Sequence, residues 1–125
     1  MTEIKPQIQF PLLDRYKEVF KVTDRTIFAY NGIIYSDYTL PPDLIIHEQT
    51  HFKQQEKFGL DTWVERYLTN ESFRLEMEIE AYKNQLKSIK DKNLRFAVRM
   101  DSVDALTSGL YGSIITREEA NQLLK

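Results

Sequence analysis

The stretch Asp43-Leu44-Ile45-Ile46-His47-Glu48-Gln49-Thr50-His51-Phe52-Lys53-Gln54-Gln55-Glu56-Lys57-Phe58-Gly59 decides how this chain is read. Pro41-Pro42 breaks what precedes it, Asp43 stands where an N-cap belongs, and Gly59 stops the run, so the spacing predicts one long helix. Leu44, Ile45, Phe52 and Phe58 give that helix an apolar side. Residues four apart share a helix face, so His47 and His51 aim both imidazoles at one point. Glu48 lies about 100° around the helix from His47. There it flanks an ion rather than binding it, and its carboxylate can take a proton from water activated at that ion. The competing interpretation is two histidines one turn apart on a solvated helix.

Working upstream, Thr26 to Ser36 places two β-branched and aromatic runs around Asn31-Gly32, the strongest two-residue hairpin signal. The opening segment, with Pro6 and Pro11, reads as an extended arm ending in a short helical turn around Leu12 to Phe20. Downstream, a short helix is expected from Asp61 to Leu68 with the only tryptophan, Trp63. A third and longest helix starts near Asn70 to Ser72 and runs through Phe73 to Lys90. Beyond Asp91 another helix runs toward a stop at Gly109 or Gly112, and Thr116 with Glu119 has capping-box spacing for a last one. The sum is a mostly helical α+β chain with one small sheet, read as a single domain over residues 1–125.

Two imidazoles do not complete a catalytic zinc site, which takes three protein ligands and a water. The chain has two histidines and no cysteine, so the third ligand must be a carboxylate. The third helix offers Glu71, Glu76, Glu78 and Glu80. Leu75, Ile79, Tyr82, Leu86 and Ile89 mark its buried face. Glu78 lies roughly 60° from the centre of that face, against roughly 100° for Glu76 and 140° for Glu80. Glu71 sits at the helix start, where an acid serves the helix dipole. An inward-pointing carboxylate must be paired, neutralised or metal-bound, and the alternative partner for Glu78 is Arg74 one turn earlier.

His47-Glu48-Gln49-Thr50-His51 followed by Glu78-Ile79-Glu80-Ala81 resembles the gluzincin-type HExxH zinc metallopeptidases, whose third ligand is a Glu in a later E-x-x-A segment. The resemblance covers residues 44 to 82, and the domain would be a small, minimal member. It implies a compact zincin-like core with a small N-terminal hairpin packed on the HExxH helix, Zn2+ held by His47, His51 and Glu78, and Glu48 as catalytic base. It also implies a peptide or protein substrate lying against an edge strand, for which Ile33 to Ser36 is the expected one. The chain departs from the pattern in carrying Tyr82 where several members have an Asp, and in having no downstream His. Tyr111, Tyr82 and Arg74 are therefore the candidate donors to the oxyanion, and Asp101 and Asp104 the expected partners of the ligand histidines.

Composition narrows the classes. At 125 residues and 42% apolar content the chain suits one core, and a net charge of −2 with interspersed signs leaves no footprint for nucleic acid. No stretch approaches the roughly 18 apolar residues of a membrane span, and no basic leader precedes an apolar run, so a cytoplasmic, soluble protein is expected. The expected function is zinc-dependent peptide hydrolysis. The alternatives are a catalytically inactive, zinc-stabilised binding module and a metal-free helical interaction domain.

Overall fold

The computed structural model describes residues 2–125. Three short strands, β1 (Glu3–Lys5), β2 (Phe28–Tyr30) and β3 (Ile33–Tyr35), form one mixed sheet in the order β1-β3-β2. The hairpin is where its turn signal puts it, with Phe28 opposite Tyr35 and Tyr30 opposite Ile33. Asn31 and Gly32 take φ of 52° and 82°, the pair of positive values that matches the twist of the flanking strands. The opening segment is not a free arm. Residues Glu3 to Lys5 pair in parallel with β3 on its far side, so β3 is the central strand and β2 is an edge. The expected edge strand, Ile33 to Ser36, therefore has no open side along its paired residues. The α1 helix (Leu13–Lys17) is shorter than the expected turn and leads into the loop before β2.

Five helices follow: α2 (Pro42–Phe58), α3 (Leu60–Thr69), α4 (Glu71–Ser88), α5 (Lys92–Leu106) and α6 (Arg117–Leu123). Pro42 occupies the first turn of α2, where a missing N–H is harmless, and this moves the start one residue ahead of Asp43. Asp43 is thus not the cap. Its Oδ2 instead accepts from Gln85 Nε2 of α4 at 2.8 Å. Asn70 caps α4 by accepting from the Phe73 N–H, Asp91 caps α5, and both halves of the Thr116–Glu119 box are formed at α6.

Two apolar clusters flank the middle of the molecule. An aromatic one joins Phe10, Tyr16, Phe28, Tyr35, Trp63 and Phe73, and an aliphatic one joins Leu75, Leu86, Val103, Leu106 and Ala120. The α2 helix packs on α4, α3 and β2, and α5 covers another side of α4. Its buried residues are His47, Glu48, Thr50, His51, Gln54 and Gln55, while Leu44, Ile45, Phe52 and Phe58 are only half-buried. The helix therefore turns its polar side inward, the reverse of the ordinary amphipathic arrangement. Each buried polar group needs a partner, since an unmatched one costs about 1–3 kcal/mol. Gln55 finds its partners on the hairpin, donating to the Ala29 carbonyl at 2.8 Å and accepting from the Asn31 N–H at 3.1 Å. Thr50 Oγ1 accepts from Asn84 of α4 at 3.1 Å. Among the described residues no helix is long and apolar enough to cross a membrane.

The turn after Tyr111 sets up one test of this packing. Gly112 has φ of 77°, and a Cβ there would collide with Glu71 Oε2 at the start of α4. Gly112→Ala is expected to lower stability by about 1–2 kcal/mol through left-handed strain, read as a lower urea midpoint at unchanged slope.

Candidate metal centre

Because α2 shows its polar side to α4, the two histidines meet Glu78 directly. Glu78 Oε1 lies 2.9 Å from His47 Nε2, and Oε2 lies 3.0 Å from His51 Nε2. All three residues are 4–5% exposed, and one ligand atom from each lies within 4.8 Å of the others. Glu76, Glu80 and Glu71 are exposed. Of the four acids on α4, the one turned most nearly inward is the one brought to the histidines. Arg74 donates to the Tyr67 and Leu68 carbonyls and lies over the Phe20 ring, which ties α3 to α4.

Tyr67 was not foreseen in this role. Its hydroxyl donates to Glu78 Oε2 at 2.6 Å, and its ring stacks on Trp63 at 4.7 Å. Its position in a short helix ahead of α4 carries no motif, so only the apolar spacing of α3 hinted that it faces inward.

The outer partners of the histidines are amides, not the expected acids. His47 Nδ1 lies 2.9 Å from Gln85 Oε1, and His51 Nδ1 lies 2.8 Å from Gln54 Oε1. Asp104 instead pairs with Arg117 at the surface, and Asp101 makes no bond to either ring among the described residues. The amide orientations follow from their other ends. Gln85 Nε2 faces the Asp43 carboxylate, while Gln54 Nε2 faces the Met77 carbonyl and Glu80 Oε1, all of which only accept. Each amide oxygen must then face the ring, so each Nδ1 carries hydrogen and each Nε2 is the nitrogen offered to the centre. A signal did exist: His47, His51, Gln54 and Gln55 recur at helical spacing, a polar stripe with the period of a buried face.

Electrostatics follow the same geometry. Burial works against charge on Glu78, but the His51 charge and the hydrogen bonds from both histidines outweigh it and hold its carboxyl well below the usual range. Burial likewise opposes charge on His51, yet Glu78 raises it to about 9, with smaller help from Glu48 and Gln54. A proton on His51 thus competes for the place a cation would take. Glu48, 6% exposed, is pushed up by burial, partly countered by His47 and His51. Its nearest charge partner is His47 Nε2, 3.9 Å from Oε2, and it has no hydrogen bond among the described residues.

Two imidazole nitrogens and a carboxylate are a donor set that suits zinc. The present N···O separations of 2.9 and 3.0 Å are hydrogen bonds. They need to open only to about 3.3 Å, the spacing of two ligands about 2.0–2.1 Å from a tetrahedral ion. A cavity of about 230 Å³ lies in front of the trio, and Glu48, Tyr67 and Tyr111 also line it. The Tyr111 hydroxyl has no partner among the described residues, whereas Tyr82 packs edge-on against His47 at 4.6 Å. No protein-family model, no curated protein and no solved structure matches the chain.

Two outcomes follow. Because the ion must displace the His51 proton at least, apparent zinc affinity should climb about tenfold or more per pH unit from pH 6.5 and level off above about 9. The sign for stability without metal is the opposite: the His51 contribution is full below pH 6.5 and is lost as pH rises through about 9. Chelator competition and urea melts across that range test both. Gln85→Leu and Gln54→Leu should each weaken zinc binding about 10–100-fold by releasing the ring tautomer, with both ligand histidines intact.

Proposed function

We propose that the protein is a zinc-dependent peptidase in which His47, His51 and Glu78 hold the ion. The observation that carries this reading is Glu48: a carboxylate nine-tenths buried, raised by burial, free of hydrogen bonds among the described residues, and facing a cavity beside both imidazoles. A buried acid without a hydrogen bond is destabilising, and a folded chain keeps one where its proton affinity is useful. When bound, zinc supplies the Lewis acidity that polarises a carbonyl and acidifies water at the centre.

The chain's own groups supply the rest. Glu48 takes the proton from the attacking water and hands it to the leaving amine, work for which an elevated proton affinity suits it better than an ordinary surface carboxylate. His47 and His51 are held rigidly by Gln85 and Gln54, so the donors are in place before substrate arrives. Tyr67 fixes Glu78 and is engaged in doing so. Tyr111 has an uncommitted hydroxyl in the same cavity, kept protonated because burial and the Glu78 charge drive its pKa up, and it donates to the developing oxyanion.

Glu48→Gln should lower kcat by about a hundredfold or more while zinc stays bound with affinity changed only a few-fold. Tyr111→Phe should lower kcat by about 10²–10³ with little change in KM. Zinc-loaded wild-type protein that cleaves no peptide in a broad library, although it binds the ion at one equivalent, would mark the chain as a zinc-stabilised binding module instead.

A further inference from the structure

A second cavity reaches the centre besides the one in front of it. The first, of about 230 Å³, has aromatic walls that include Phe20, Phe28 and Trp63. The second, of about 380 Å³, opens between α2, α4 and α5 and is lined by Asp43, Asp101, Ser102 and Gln85 among others. His47, Glu48 and Ile27 line both. The residues assigned to chemistry thus form the partition between two compartments, and Ile27, just ahead of edge strand β2, belongs to both walls.

The compartments differ in what they would hold. Aromatic walls favour a bulky apolar side chain, and about 230 Å³ is room for one. No Lys or Arg lines the second cavity. Its acids are Asp43, engaged by Gln85, and Asp101, which is exposed and has no ion pair among the described residues. Glu48 reaches it only from the partition, where His47 Nε2 lies 3.9 Å away and burial favours its neutral form. Away from the partition, the second cavity therefore offers carboxylates with no lysine or arginine to match them. An extended peptide sends successive side chains to opposite sides, so two adjacent residues can straddle a partition and leave the bond between them over it. Gln55 already holds the Ala29 carbonyl on the free side of β2, so recognition rests on these two side chains rather than on a long added strand.

We propose, resting on the hydrolytic reading above, that the substrate is a peptide segment in which an aromatic or large aliphatic residue adjoins a lysine or arginine. The apolar side chain enters the first cavity, the basic one enters the second, and the bond joining them lies over His47 and Glu48.

The test uses otherwise identical peptides carrying Phe-Arg, Arg-Phe, Phe-Ala, Ala-Arg or Ala-Ala at one site. Binding is measured to zinc-loaded Glu48→Gln protein and cleavage by zinc-loaded wild type. One order of the Phe and Arg pair is expected to bind about tenfold tighter than either singly substituted peptide. Asp101→Asn should erase the advantage of arginine, while Asp104→Asn, whose acid pairs with Arg117 at the surface, should not. Equal binding of all five peptides, or an arginine advantage that survives Asp101→Asn, overturns the inference. Binding in the expected order without cleavage by wild type overturns hydrolysis and retains the occupant. Cleavage without that order does the reverse.

Discussion

The structure turns on one buried charge. Glu78 sits 4% exposed between two helices, and a carboxylate in such a place is intolerable unless several donors share it. It has three: His47, His51 and the Tyr67 hydroxyl, from α2 and α3. Those bonds fix how far α2 and α3 stand from α4 and how each is rotated. The orientation of α2, polar side in, is a consequence: only that rotation brings both imidazoles to the carboxylate, and it leaves Leu44, Ile45, Phe52 and Phe58 half-buried.

That rotation has to be supported elsewhere, because a polar interface between helices lacks the usual hydrophobic drive. The support comes from the flanks. On one side the aromatic cluster closes over the hairpin and α3, with Phe10 stacked on Phe28 at 4.4 Å and Trp63 on Tyr67 at 4.7 Å. On the other, α5 buries Val103 and Leu106 against α4, and α6 packs on α5 and adds Ala120 to the same cluster. Gln55 and Thr50 then join α2 to the hairpin and to α4 by specific bonds rather than by area. The outcome is a low-dielectric layer around a polar seam, the setting in which a fixed dipole or charge has most effect.

Much of this was legible in the residues, and the parts that were not share a cause. Helical spacing alone put His47 and His51 on one face, and a rotation of roughly 60° singled out Glu78 among four acids. The hairpin was legible because Asn31-Gly32 is a local signal, and the Thr116 box for the same reason. What escaped was non-local. Nothing in Glu3-Ile4-Lys5 announces a parallel partner thirty residues away, so β3 passed for an edge strand. Asp43 passed for a cap because a helix can begin on Pro42, whose missing N–H the first turn tolerates. Gln54 and Gln85 escaped because acids were expected beside ligand histidines, and an amide carries no charge to draw notice.

The choice of amides has its own physical logic. Consider the balance of charge in the seam: Glu78 and Glu48 together carry two negative charges when ionised, which a divalent cation would offset in full. A carboxylate behind each imidazole would add two more inside walls made of Tyr16, Trp63 and Tyr67, with little water to screen them. Gln54 and Gln85 hold each ring as firmly, since their second ends are anchored on the Met77 carbonyl and the Asp43 carboxylate. They do so without shifting the net charge of the centre. The acids that belong to this outer layer, Asp43 and Glu80, are less buried and one bond further out, where solvent can carry part of their charge. An amide relay therefore lets the chain set the tautomer of both histidines and leaves Glu48, among the described residues, a buried acid without a hydrogen bond, which is the condition for that carboxylate to trade protons.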